Sequence, residues 1–294
     1  MTALAPSVRV LHEGPDIVGE GPLWDPGSGS VWWCDIEGHA IRRIDLSGGT
    51  AQSIALDRRP SALALTSGGD ILAALGNGWS RVGVDGTCTE VAAPDGPANG
   101  WRMNDGTPDM QGRFWTGTMA MPRGSGQGGA LYRLDPTGPV RVLDGLRTQN
   151  GLAVSPDGRT LYLSDSDPEV CVIWAFELDR ATGALSNRRV FHRPTTGRPD
   201  GAAMDAEGCY WFAAIDAGRI VRVSPEGREL MHVALPVSRP TNLCFAGPDL
   251  RTLCVTSMSV LPEGRAAAEE PRAGALLALD TGVAGLPVPR VRGP

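Results

Sequence analysis

Short apolar runs separated by turns recur along the whole chain. A turn followed by an apolar pair, often aromatic, occurs six times, and these pairs end at Trp33, Leu72, Trp115, Tyr162, Trp211 and Cys254. Apolar runs of this length between Gly, Pro and Asp turns predict β-strands. A further strand that runs into an acidic or glycine turn follows each pair, as in IRRIDLSGG and LYRLDPTG. Each repeat is therefore predicted to hold about four short strands.

The repeat has a period of about 40–50 residues, which is typical of a propeller blade of four antiparallel strands. Six copies predict an all-β fold, a six-bladed β-propeller in which residues 1–294 form one domain. The even spacing disfavours a β-sandwich or two smaller β domains, and a ring leaves few exposed sheet edges. Residues 257–275 stretch the last copy and are predicted to be a surface loop insertion. The N-terminal VRVLHE is predicted to add an outer strand to the last blade.

One polar residue stands where each repeat enters its first strand. Because the innermost strand of every blade lines the central channel, these residues are predicted to converge at one end of it. Carboxylate and amide oxygens without thiol or imidazole favour a hard divalent cation. The alternative, that they only bind channel waters and backbone groups, is the better interpretation for any single asparagine. We call them the strand-entry residues: Glu20, Ser61, Asn104, Asn150, Asp200 and Asn242.

Composition excludes several other functions. The net charge is −6 and no basic run is present, which argues against nucleic-acid partners. All 27 basic residues are arginine, so Schiff-base and P-loop lysine chemistry is impossible. The chain has no GxSxG or HExxH motif and no CxxC pair. No run of about 20 apolar residues and no signal-peptide pattern is present, so the expected location is cytoplasmic, without a membrane partner.

Four stretches resemble the SMP-30/gluconolactonase/luciferin-regenerating-enzyme (LRE) family, which includes bacterial sugar lactonases. They are GEGPLWDPGSGSVWWCDI, WRMNDGTPDMQGRFWTGTM, QNGLAVSPDGRTLYLSDS and RPDGAAMDAEGCYWFAA, and the match covers nearly the whole chain. The resemblance implies a six-bladed propeller with one catalytic divalent metal that hydrolyses a sugar lactone. The expected partner is this small-molecule lactone, and the protein is expected to be a monomer or a small homo-oligomer.

The resemblance also implies roles for individual residues. Glu20, Asn150 and Asp200 would bind the metal, which could be Ca²⁺, Mg²⁺, Mn²⁺, Zn²⁺ or Fe²⁺. Arg102 and Asn104 would contact the substrate, assisted by Asp105. The metal would act as a Lewis acid, and Asp200 would serve as the general base towards the attacking water.

One departure from the family pattern concerns substrate choice. Many members carry a pair of glutamates after the GTMA stretch, where this chain has Met121 and Pro122. The change makes the pocket mouth more apolar and leaves room for a different or more hydrophobic lactone. Two other classes stay open: a calcium-dependent phosphotriesterase or aryl esterase, in which Asn104 and Asn242 would also bind the metal, and a non-catalytic ligand-binding propeller.

Overall fold

Six antiparallel sheets follow one another along the chain, and each corresponds to one repeat of the sequence. The computed structural model describes residues 2–3, 7–94, 100–122 and 129–292. Within these ranges the only helix is a single 3₁₀ turn, Ala267–Glu269. The predicted all-β, six-bladed β-propeller is confirmed, with the strands of each blade in antiparallel order.

The strands are numbered in chain order and grouped by blade. The first blade comprises β3 (Gly19–Asp25), β4 (Ser30–Asp35), β5 (Ala40–Asp45) and β6 (Gln52–Ala55), and the second comprises β7 (Pro60–Leu65), β8 (Ile71–Leu75), β9 (Gly78–Val82) and β10 (Cys88–Ala92). The third comprises β11 (Trp101–Pro108), β12 (Phe114–Ala120), β13 (Gly129–Asp135) and β14 (Gly138–Leu146), and the fourth comprises β15 (Gln149–Val154), β16 (Thr160–Asp165), β17 (Val172–Leu178) and β18 (Leu185–His192). The fifth comprises β19 (Arg198–Met204), β20 (Tyr210–Ile215), β21 (Arg219–Val223) and β22 (Glu229–Ala234), with β1 (Thr2–Ala3) parallel to β22. The sixth comprises β23 (Pro240–Ala246), β24 (Thr252–Ser257), β25 (Leu276–Asp280) and β2 (Arg9–His12).

The ring is closed by strands from both ends of the chain. In the sixth blade β2 pairs with β25, as predicted for the VRVLHE segment. The first strand of each blade, which we call its inner strand, contacts the inner strands of both neighbouring blades, and β23 contacts β3. The inner strands therefore surround a common axis, and residues at the same position in each strand approach one another there.

A buried aspartate explains part of the repeated sequence. In DAEGCYW of the fifth blade, Asp205 Oδ2 accepts hydrogen bonds from Trp211 Nε1 at 2.8 Å and from Arg222 Nε at 2.7 Å. In DMQGRFW of the third blade, Asp109 Oδ2 accepts one from Trp115 Nε1 at 2.8 Å. Both aspartates and both tryptophans are fully buried. The turn aspartate thus anchors the core tryptophan six residues later, as buried indole N–H groups require a partner.

Asp205→Ala is expected to lower the free energy of unfolding by about 3 kcal/mol, because it leaves the buried Arg222 guanidinium and Trp211 indole without this acceptor. Urea denaturation followed by fluorescence measures the change. Asp249→Ala is the matched control: Asp249 is an exposed turn aspartate of the last repeat, and its loss should cost no more than about 0.5 kcal/mol. Equal losses for the two variants would contradict the anchoring role.

The stretched part of the last repeat joins two strands of the sixth blade. The segment 257–275 runs from the last residue of β24 to the residue before β25, and most of its residues are exposed. Glu270 is an exception, because its buried carboxylate accepts a hydrogen bond from the Ser238 amide at 2.8 Å. No helix in the described part of the chain is long and apolar enough to cross a membrane.

Candidate active site

Each inner strand breaks its regular pairing at its strand-entry residue. These irregularities fall between Glu20 and Leu23, Pro60 and Ala62, Met103 and Gly106, Asn150 and Ala153, Pro199 and Ala202, and Pro240 and Leu243. A bulge of this kind re-aims the side chain that it carries and occurs often beside active sites. All six blades therefore depart from flat pairing at the same level of the channel.

Glycines beside these residues permit close contact between blades. Gly21 and Gly151 have positive φ angles of 53° and 57°, which side-chain-bearing residues rarely adopt. A Cβ atom at Gly201 would lie 1.9 Å from Cγ of Asn242 in the next blade. The Asp200–Gly201 pair therefore fits only because the second residue lacks a side chain.

Five of the six predicted site residues, from four blades, line one cavity at this end of the channel. Its volume is about 90 Å³. We call it the axial cavity. Its lining residues are Val18, Glu20, Ile36, Arg102, Asn104, Met119, Asn150, Arg198, Asp200, Ile215, Arg239 and Met258.

Hydrogen bonds orient the amides of this wall. Asn104 Nδ2 donates to Asn150 Oδ1 at 2.6 Å, and Asn150 Nδ2 donates to Ser166 Oγ at 2.8 Å. Asn104 Oδ1 accepts a bond from Arg102 Nη1 at 2.7 Å. Because Asn104 Nδ2 and Asn150 Nδ2 both donate to neighbouring side-chain oxygens, the amide oxygen of Asn150 keeps a fixed position beside the cavity.

Electrostatics at the site favour a bound cation. Burial raises the pKa of the Glu20 carboxyl well above its usual range, and the negative charges of Asp200 and then Asp105 raise it further. Hydrogen bonds from Asn242 Nδ2 at 2.9 Å and Gly21 N at 3.0 Å oppose that rise. A divalent ion would neutralise the two carboxylates of the axial cavity, so their oxygens and the amide oxygen of Asn150 fit such an ion.

A metal ion in the axial cavity would need ligands other than carboxylates. Among the described residues, no group of three or more His, Cys, Asp or Glu side chains is arranged to hold a metal. Glu20 and Asp200 supply two such groups on the cavity wall, and Asn150 supplies the neutral oxygen. This oxygen-only donor set is the type preferred by Ca²⁺, Mg²⁺ and Mn²⁺.

Two predicted or candidate residues lie deeper in the channel. Asp105 and Asn242 do not line the axial cavity but a second, largely apolar chamber on the other side. Asn242 Nδ2 bridges Glu20 Oε2 and Asp105 Oδ1, at 2.9 and 3.1 Å, and Asp105 Oδ2 accepts a bond from Leu152 N at 2.8 Å. Burial raises the pKa of Asp105 to about 6. Asn242 therefore binds Glu20 directly, and Asp105 is linked to Glu20 through Asn242.

Arg198 and Arg239 also line the axial cavity, and the sequence analysis did not select them. The sequence does contain one feature that could have identified Arg198. It stands two residues before Asp200, as Arg102 stands two residues before Asn104. Arg239 has no such signal, because it lies three residues before Asn242 in another blade.

Comparison with known proteins gives consistent matches along the chain. Residues 18–259 match the family model described as the SMP-30/gluconolactonase/LRE-like region. A 6-deoxy-6-sulfogluconolactonase of Pseudomonas putida is 36% identical, over 98% of this chain and 99% of that protein. Regucalcin of Gallus gallus is 33% identical, over 96% and 97% of the two chains. The crystal structure of regucalcin from Agrobacterium tumefaciens, described as a calcium-binding protein, superimposes with a TM-score of 0.92 at 30% identity and covers 99% of both chains.

Proposed function

The chain belongs to the SMP-30/gluconolactonase/LRE-like family, and we propose that it is a divalent-metal-dependent lactonase that hydrolyses a sugar-acid lactone to the hydroxy acid. One observation carries the proposal: two buried carboxylates, an oriented amide and a guanidinium from different blades meet on the wall of one cavity. The name of the Pseudomonas putida relative supports a sugar-acid lactone as the substrate class, and the calcium-binding relative supports a divalent cation.

Glu20, Asn150 and Asp200 are the proposed metal ligands. When bound, a divalent ion would supply Lewis-acid chemistry towards the lactone carbonyl. Asn104 is not proposed as a ligand, because the Arg102 guanidinium already lies 2.7 Å from its side-chain oxygen and a second cation there would be repelled. Asn242 is not proposed as a ligand, because its Nδ2 donates to Glu20 Oε2 and its Oδ1 already accepts a hydrogen bond from Leu243 N. The arrangement with additional asparagine ligands, expected for a phosphotriesterase, is therefore disfavoured.

Asp200 is the proposed general base. Its carboxylate takes a proton from the attacking water while the water oxygen bonds to the carbonyl carbon. The ring C–O bond then breaks, and the same proton is returned to the leaving ring oxygen. Asn104 and Arg102 orient the hydroxyl groups of the ring, and the guanidinium provides a rigid fork of donors suited to this task. Asp105 contributes indirectly through Asn242 and Glu20.

A substrate panel tests the function. The purified protein is assayed with 1,4- and 1,5-sugar lactones, an aryl ester and a phosphotriester, each with Ca²⁺, Mg²⁺, Mn²⁺, Zn²⁺ or Fe²⁺. We expect the lactones to be hydrolysed with the highest kcat/KM. A phosphotriester or aryl ester as the best substrate would overturn the lactonase assignment in favour of that hydrolase class. A complete lack of turnover with every metal would favour a ligand-binding propeller.

Arg102→Ala is expected to lower kcat/KM for the lactone by about 10- to 100-fold, mainly through a higher KM, because the substrate loses an orienting donor. Steady-state kinetics at saturating metal measure the effect. Arg102→Lys is the informative companion: it keeps the charge but not the fork, so it should recover only part of the loss. Wild-type kinetics for Arg102→Ala would assign Arg102 to the surface and not to the substrate.

A further inference from the structure

Two arginines at the cavity wall share one carboxylate. Arg198 Nη2 and Nε donate to Asp216 Oδ2 at 2.7 and 3.0 Å, and Arg239 Nε donates to Asp216 Oδ1 at 2.7 Å. The two arginine side chains are 16% and 21% exposed, and Asp216 is 31% exposed. Asp216 lines a separate surface pocket and not the axial cavity. Asp216 therefore holds both guanidiniums without lining the axial cavity itself.

Further bonds fix both guanidiniums. Arg198 Nη1 donates to the Ser166 carbonyl at 3.1 Å, and Arg239 Nη1 donates to the Val260 carbonyl at 3.0 Å. Burial alone would raise the pKa of Asp216, but the hydrogen bonds and charges of the two arginines outweigh burial and lower it. Asp216 is thus ionised at neutral pH, and the pair is organised before any ligand arrives. Little side-chain entropy remains to be lost on binding.

The charge of the cavity is unbalanced once a metal is bound. Without metal, the three guanidinium groups of Arg102, Arg198 and Arg239 face the carboxylates of Glu20 and Asp200, with Asp105 next to Glu20 and Asp216 next to the arginines. A divalent cation would leave an excess of about one positive charge in a concave, partly buried space. Such a space attracts an anion more strongly than a neutral sugar lactone.

We propose that the substrate carries a second acidic group, a sulfonate or carboxylate remote from the lactone carbonyl, which binds to Arg198 and Arg239. This inference rests on the proposed lactonase function and adds the substrate class. Guanidinium groups match the paired oxygens of such anions, and charge-assisted hydrogen bonds of this kind are roughly twice as strong as neutral ones. The two arginines bind the remote acidic group, while Asp200 remains the proposed base for the water that attacks the carbonyl carbon.

The test compares three lactones of the same hexose skeleton, which end in a hydroxymethyl, a sulfonate or a carboxylate group. We expect wild-type kcat/KM to be at least about tenfold higher for an anionic lactone than for the neutral one. Arg239→Gln and Arg198→Gln should each reduce that preference by about tenfold, with a larger loss of kcat/KM on the anionic lactone than on the neutral one. The matched control is Arg228→Gln, which removes the same charge from a side chain that is 77% exposed and should keep the preference.

A second readout does not require turnover. Isothermal titration calorimetry measures binding of the open-chain hydroxy acid with a terminal sulfonate, and of its carboxylate counterpart, to wild-type protein and each variant. We expect at least about tenfold weaker binding to the Arg239 and Arg198 variants. Equal kcat/KM for neutral and anionic lactones in the wild type, or equal losses on both in the variants, would overturn the inference. If no lactone is hydrolysed, the proposed function fails, while calorimetry still decides whether the arginines bind an anion.

Discussion

Asp200→Asn is expected to reduce kcat for lactone hydrolysis by about 10³-fold with the fold intact. The side chain keeps its shape, so the hydrogen bonds of β19 and the neighbouring Gly201 contact can persist. An amide cannot accept the proton of the attacking water, and the loss of general-base catalysis alone costs about 10²- to 10⁴-fold. The amide also removes one negative charge from the proposed metal site. Steady-state kinetics at saturating metal, with circular dichroism as a check on folding, measure the result.

The comparison with Glu20→Gln separates the two roles of Asp200. Both substitutions remove one buried carboxylate charge from the same cavity. Since Glu20 is proposed only as a ligand, excess metal should restore much of the activity of Glu20→Gln. Excess metal should not restore Asp200→Asn, because the base is missing. Near-wild-type kcat in Asp200→Asn, or equal rescue of the two variants, would refute its role as the base.

The repeat predicts the architecture because each copy encodes a complete sheet. The turn aspartate and the tryptophan of the third and fifth blades, such as Asp205 and Trp211, stand at the same spacing and form the same buried hydrogen bond. Residues in one register of such repeats must meet at the ring axis. This geometry predicts that Glu20, Asn150 and Asp200 approach one another, and all three line the axial cavity.

Register does not predict which side chains face the cavity. Ser61 and Asn242 occupy the same position in their repeats, yet Ser61 Oγ donates to the Ala74 carbonyl and Asn242 bridges two carboxylates deeper in the channel. The bulges that re-aim each side chain depend on pairing between strands, and single-chain patterns do not reveal them.

The two cavity arginines show a further limit of sequence analysis. Arg198 and Arg239 lie 18 and 23 residues from Asp216, on either side of it. The pairing of β19 with β20 brings Arg198 to Asp216, and the packing of the sixth blade against the fifth brings Arg239 there. Their charge changes the expectation at the pocket mouth, where Met121 had suggested a more apolar substrate. Met121 lines a neighbouring groove with Trp101 and Arg102, outside the axial cavity.

Removal of the metal is expected to reduce kcat/KM for lactone hydrolysis by at least about 100-fold and to lower the melting temperature of the protein. Without a cation, Glu20 and Asp200 remain close together and buried, and this repulsion destabilises the folded state. A ligand that binds only the folded protein at about 100 times its Kd adds about 2.7 kcal/mol of stability. For a chain of this size we expect a rise in melting temperature of roughly 5 °C or more when metal is returned. Dialysis against chelator, metal analysis and thermal denaturation provide the measurements.

The location of the ion follows from a double variant. Glu20→Gln combined with Asp200→Asn removes both carboxylates from the axial cavity and relieves their repulsion, so the metal-free variant should melt no lower than the metal-free wild type. Because it lacks both charged ligands, added Ca²⁺, Mg²⁺ or Mn²⁺ should no longer raise its melting temperature. The same metal-dependent rise in the variant would place the ion elsewhere. A further measurement uses wild-type protein that metal analysis shows to be free of metal. Full lactonase activity of this protein would contradict the metal-dependent mechanism, because the carboxylates would then act without a cation between them.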